Sequence, residues 1–182
     1  MKAGQIVLNY KEYEALPNDG RKYEIHEGEL SVTPAPGTRH QEVSMNLAAA
    51  LHTHVRARNL GTVFAAPTDV VLSDISIVQP DLVYVASDRL GAVSSRGIEG
   101  APTLVVEILS PSTIQIDRHT KLQLYARYGV PYYWIVDPEA RLIEAYRLEA
   151  GSYALSVRSA GHEPFSAEPL GDLILTAAAV WP

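Results

Sequence analysis

Thr103-Leu104-Val105-Val106-Glu107-Ile108-Leu109-Ser110 decides how the chain is read. It is an apolar run of strand length with one ionisable residue inside it, and such runs are typically strands covered on both faces. A bare carboxylate in that setting is costly to desolvate, so Glu107 must be protonated, paired or holding a cation. A second stretch, Val78-Gln79-Pro80-Asp81-Leu82-Val83-Tyr84-Val85, has the same character, with Asp81 at its beginning. If the two strands pair antiparallel, the start of one lies opposite the end of the other. The carboxylates then share one face and one end of a sheet, within reach of a single ion. Oxygen donors of this kind suit a hard divalent cation such as Mg²⁺ or Mn²⁺.

The helix expected after Glu107, from Asp117 to Tyr128, carries Asp117, Lys121 and Tyr125 four residues apart and therefore on one face. The link through Ser110-Pro111-Ser112 is short, so Lys121 can point back at the acids. A lysine beside a bound metal can orient an attacking water or stabilise negative charge on a phosphate. The alternative for Glu107 is a structural ion pair with Lys121, which adds little net stability because desolvation opposes it. Asp117 reads equally well as a first-turn acid of its helix, Tyr125 as packing, and His40 as a surface histidine.

The other elements follow from periodicity and turn residues. A short strand is expected at Gln5–Leu8, a brief helix from Tyr10 to Leu16 stopped by Pro17, and a hairpin over 22–33 around Glu27-Gly28. Residues 39–58 form the clearest helix, with Val43, Leu47, Ala50, Leu51 and Val55 on one stripe. Strands are expected at 62–66, continued at 69–72, and at 78–86. Residues 87–102 read as a long polar loop. A strand at 132–136, a hairpin over Glu149-Ala150-Gly151, a short strand near 165–170 and a helical turn at 176–181 complete the chain. No linker or repeat divides it, so residues 1–182 read as one domain of α/β class: a central sheet with helices on both faces.

Composition limits the function classes. There is no cysteine, which excludes disulfides and thiolate zinc sites and fits a cytoplasmic protein. No apolar run approaches a membrane span, and the first residues lack a signal-peptide core. His52 and His54 are two apart and cannot share a helix face as a zinc pair. The formal net charge of −6 is a poor match to a protein that holds nucleic acid by phosphate neutralisation alone. A nucleic-acid role therefore needs cations bound by the acids, or a local patch from Arg39, Arg56, Arg58, Arg118, Lys121 and Arg127.

Five segments together resemble a known family: Tyr23–Leu30, Gln79–Leu82, Val106–Ser112, Lys121–Ala126 and Gly129–Pro138. In this order, Pro80-Asp81, Glu107-Ile108-Leu109 and Lys121 are similar to the PD-(D/E)XK, restriction-endonuclease-like superfamily, and more closely to its Uma-two family of endonucleases. The resemblance implies an αβββαβ core with a mixed sheet, here with an extra N-terminal hairpin and C-terminal strands. It implies Mg²⁺- or Mn²⁺-dependent hydrolysis of nucleic acid, most naturally DNA, and a homodimer, since DNA-cutting relatives often pair. Asp81, Glu107 and the backbone carbonyl of Ile108 become metal ligands, with Glu24 an accessory acid. One departure stands out: the lysine usual two residues after the glutamate is Leu109 here, and Lys121 takes its place. Two alternatives remain at this level: a nuclease-fold binding module without activity, and a metal-dependent phosphohydrolase of small substrates.

Overall fold

The computed structural model describes residues 6–182. Gln5, at the head of the expected first strand, lies outside them. Residues 6–9 form no strand, although the Leu8 N–H donates to the Gly28 carbonyl at 2.9 Å. Helix α1 (Tyr10–Glu14) begins at a capping box: Asn9 accepts from the Lys11 N–H while Glu12 accepts from the Asn9 N–H. The expected hairpin is β1 (Lys22–His26) and β2 (Glu29–Thr33). Its two-residue turn places both Glu27 and Gly28 at positive φ, which matches the twist of the flanking strands.

Helix α2 (Thr38–Ala57) buries Val43, Leu47, Leu51 and Val55, the stripe expected from the sequence. The chain then runs through β3 (Gly61–Ala65), β4 (Val70–Ser73), β5 (Ser76–Val78) and β6 (Leu82–Ala86). Two expectations are corrected here. β4 does not continue β3, and 78–86 is not one strand. Pro80 has no N–H to give a ladder, so pairing stops at Val78 and resumes at Leu82 in a different sheet. Asp81 sits on that crossing. Residues 87–102 are not a plain loop either: a 3₁₀ turn (Ser87–Ala92) leads into β7 (Val93–Ser94) and β8 (Gly97–Glu99), with Ile98 fully buried.

After β9 (Leu104–Ile108), the expected second helix is two pieces: a π turn over Ile116–Lys121 and helix α3 over Leu122–Arg127. π turns inside helices recur at functional sites. Then come β10 (Tyr132–Asp137), β11 (Leu142–Glu149) and β12 (Ser152–Ala160). In place of a strand at 165–170 there is a single bridge between Phe165 and Leu175, and α4 (Ala177–Val180) is the last helical turn.

The strands form two mixed six-stranded sheets, ordered β2-β1-β5-β4-β8-β7 and β12-β11-β10-β9-β6-β3. In the second, β9 is antiparallel to β6 and parallel to β10, with the crossover between β9 and β10 made by the π turn and α3. Taken as α2, β3, β6, β9, α3 and β10, this is the αβββαβ order read from the sequence. Side-chain alternation then sorts each strand by parity. Leu82, Tyr84, Leu104, Val106 and Ile108 pack with the α2 stripe and Trp134 on one face. Val83, Val85, Val105 and Leu109 pack on the other with Tyr125, Tyr133 and the first sheet. Asp81 and Glu107 are both odd-numbered and belong to this second face.

Candidate active site

The β6–β9 register pairs Leu82 with Val106, so the next step along it sets Asp81 beside Glu107. The structure closes that step with a bond: the Ile108 N–H donates to Asp81 Oδ2 at 2.7 Å. The same oxygen lies 3.2 Å from His40 Nε2 in the first turn of α2. Glu107 is turned toward α3. Its Oε1 accepts from Tyr125 Oη at 2.7 Å and from Lys121 Nζ at 2.9 Å. Lys121 Nζ is also 2.9 Å from Glu24 Oε1, on the hairpin, and 3.5 Å from Asp117 Oδ1. Glu24 is fixed further by the Gln79 N–H at 2.8 Å, one residue before Pro80-Asp81.

All five residues singled out in the sequence therefore meet: Glu24, Asp81, Glu107 and Lys121 by side chain, Ile108 by backbone. They line or back a cavity of about 40 Å³ that also exposes His40, Ser110, Thr113 and Asp117. One water occupies roughly 10–15 Å³ measured this way, so the space suits an ion with water beside it. Three further side chains, Asp117 (read equally as a helix acid or a site residue), Tyr125 (read as packing) and His40 (read slightly more readily as a surface histidine), lie in the assembly. Asp117 is 2 % exposed and its Oδ1 has no hydrogen-bond partner. Tyr125 is wholly buried with its hydroxyl on Glu107. His40 braces Asp81. Lys22 was missed altogether. It lines the cavity, 3.7 Å from Glu24 Oε1, and the period-two rule that places Glu24 inward on β1 also places Lys22 there. Four of the arginines offered as a candidate phosphate patch are paired with acids: Arg39 with Glu139, Arg58 with Asp172, Arg118 with Glu144, Arg127 with Glu27. Arg58 shares Asp172 with His54, which is thus a tie between α2 and the C-terminal segment.

Charge at the site does not balance. Four carboxylates, those of Glu24, Asp81, Glu107 and Asp117, face the ammonium groups of Lys121 and Lys22, a formal excess of two negative charges before His40 is counted. The carboxyl groups respond in opposite directions. Burial would raise Glu24, but the charges of Lys121 and Lys22 outweigh it and hold it well below the ordinary range. Burial would likewise raise Asp81, and the His40 hydrogen bond with the charge of Lys22 brings it below. Burial pushes Glu107 up to about 7; Lys121 and Lys22 oppose this, and repulsion from Asp117 and Asp81 adds to it. Asp117 is raised for the same first reason. Lys121 would be lowered by burial, yet its three carboxylate partners raise it well above the usual lysine value, so it stays charged. His40, lowered by burial, is raised on balance by Asp81. Titratable groups driven apart in this way mark functional sites more often than structural ones.

The donor set fits a divalent cation. It is all oxygen, over-charged, and includes Asp117 Oδ1, which has an ion-pair contact to Lys121 at 3.5 Å but no hydrogen bond. Lys121 and Tyr125 both engage Oε1 of Glu107, and His40 and Ile108 both engage Oδ2 of Asp81. The other oxygen of each has no hydrogen-bond donor among the described residues. Among those residues no three His, Asp or Glu side chains form a ready-made cage.

Comparisons with known proteins bear on the family and the fold. A family model, Uma2, described as "Putative restriction endonuclease", matches residues 10–178. A crystal structure of a protein from Anabaena variabilis ATCC 29413, described as a "putative nuclease belonging to DUF820", superposes with a TM-score of 0.75 at 19% identity, covering 96% of this chain and 97% of that one. At that identity the likeness shows a shared fold. Among curated proteins, none matches the chain in sequence.

Proposed function

Because this chain belongs to the Uma2 family of restriction-endonuclease-like proteins, we propose that it is a metal-dependent endonuclease hydrolysing phosphodiester bonds of nucleic acid, DNA in the first instance. The observation that carries the reading is the buried excess of negative charge around Asp81 and Glu107, on one face and at one end of the central sheet. A structural ion pair would need one acid per base; here Glu24, Glu107 and Asp117 converge on the single ammonium of Lys121.

Asp81 and Glu107 would hold Mg²⁺ or Mn²⁺ through the carboxylate oxygens left unbonded by protein donors, with the Ile108 backbone alongside. The cation, when bound, neutralises charge on the phosphate oxygens and lowers the pKa of a coordinated water. The chain's own contribution is arrangement. Tyr125 and Lys121 fix Glu107 from the α3 side, so its carboxylate does not swing toward solvent. Glu24 and Asp117 hold the Lys121 ammonium in place. Its close partners are all carboxylates, which makes Lys121 a positioning residue in this state rather than the group that delivers water. His40 does for Asp81 what Lys121 does for Glu107. Glu24, well ionised and 2 % exposed, acts through Lys121 and not on substrate.

The test is cleavage of supercoiled plasmid and of labelled oligonucleotides with Mg²⁺ or Mn²⁺ present. Asp81→Ala and Glu107→Ala are each expected to lose about a hundredfold or more in rate, since each removes a ligand from a group supplying several kcal/mol. Metal-dependent cleavage that survives in both variants would refute the assignment.

A further inference from the structure

A cavity of about 370 Å³ opens directly beside the carboxylate site, sharing His40 and Ser110 with it. Its walls are apolar: Leu109, Pro111, Ile114 and Pro138. Its rim is polar. Arg39 Nη1 bonds Glu139 Oε2 at 2.9 Å, while the buried Arg39 Nε and His40 Nδ1, both on residues lining the cavity, have no hydrogen-bond partner. The volume falls within the roughly 300–1,000 Å³ range of sites that enclose a small organic group.

We propose that this cavity receives one unstacked nucleobase of the substrate strand, next to the phosphate at the carboxylate site; this rests on the nuclease reading above. Charge chooses the base over the phosphate. Asp137 and Glu139 line the cavity with Arg39 and His40, each of which is already paired with an acid, Glu139 and Asp81, so a phosphate would find no free cation among the described residues lining it, whereas a neutral ring needs none. Apolar side chains and an arginine plane are surfaces on which extruded bases settle, and unpaired donors or acceptors at the edge read their hydrogen-bonding positions. The inference also answers the problem posed by a net charge of −6. A protein poor in phosphate contacts can still gain affinity for a nucleic acid strand from its bases, which settle on protein surfaces whatever their sequence. A base stacked and paired in a duplex must first be extruded, at a cost of a few kcal/mol, so single-stranded or locally unpaired nucleic acid is the favoured substrate class.

Anisotropy of a labelled oligothymidylate, compared with the same strand annealed to its complement, in Ca²⁺ to hold back hydrolysis, tests this. The single strand is expected to bind tenfold or more tighter than the duplex. Ile114→Trp fills the cavity and is expected to weaken single-strand binding at least tenfold while Mn²⁺ binding stays unchanged. Pro111→Trp, at the exposed rim, reports in its place should Ile114→Trp misfold. Equal binding of both forms, no binding of either, or wild-type binding by the filled variants would overturn the proposal. Plasmid cleavage alongside unaffected binding by Ile114→Trp would sink the base pocket and leave the nuclease standing. Cavity-dependent binding without cleavage of any polymer would do the reverse.

Discussion

Lys121→Met will lower the stability of the fold by about 3–5 kcal/mol, the usual cost of removing one partner from a buried ionic cluster. That is a large share of the roughly 5–15 kcal/mol that holds an ordinary domain together. The reason is electrostatic. Methionine fills nearly the same space, but Glu24, Glu107 and Asp117, all buried, are left facing one another with, among the described residues, only the Lys22 ammonium, 3.7 Å from Glu24, nearby. Urea denaturation at neutral pH measures the loss. Adding Glu107→Gln to Lys121→Met should restore part of it, because one of the stranded charges is gone. The deficit should also shrink as pH falls, since Glu107 and Asp117 are the acids already displaced toward protonation. An unchanged denaturation midpoint in Lys121→Met would mean that the cluster is not held by this ammonium.

Glu107→Gln alone is expected to act in the opposite direction. Glu107 titrates at about 7 in the fold against 4.5 ordinarily, chiefly through burial. Between those values the native state keeps a proton that the unfolded chain has released, so stability falls as pH rises through the window, and above about 7 the whole penalty is present. Glutamine carries no charge to desolvate and can still accept from Tyr125 and Lys121. The variant should therefore melt several degrees above wild type at pH 8, with the gap closing toward pH 5. Melting curves across pH decide it. A variant less stable than wild type at pH 8 would show that the Glu107 charge is satisfied by the protein alone. A site that costs stability to keep its chemistry is a familiar compromise.

How much of this was legible beforehand follows from the physics of each element. The parity of Asp81 and Glu107, and the end of the sheet they share, came from strand alternation and one assumption of antiparallel pairing, and both are local rules. The return of Lys121 followed from a short link and helical spacing. What escaped were effects of tertiary packing. Pro80 marked a break, but nothing local says that the chain changes sheets there, leaving Val78 in one and Leu82 in the other. Ile98 alone in a Gly-rich stretch gave no strand signal; its burial depends on pairing with β4. The π turn has no sequence signature. Lys22, Asp117 and Tyr125 looked ordinary because the need for each arises only once Glu24, Lys121 and Glu107 are brought together from three separate elements. The pairing of the arginines was hidden for the mirror-image reason: their carboxylate partners lie up to a hundred residues away.

Titration calorimetry with Mn²⁺ on the wild-type protein, on Asp81→Asn and on Glu107→Gln is the most direct test of the charge excess on which everything else depends. Saturable Mn²⁺ binding to wild type, lost in both variants although each melts cooperatively, is the predicted result. No Mn²⁺ binding to wild type, or binding of equal strength in all three, would contradict it.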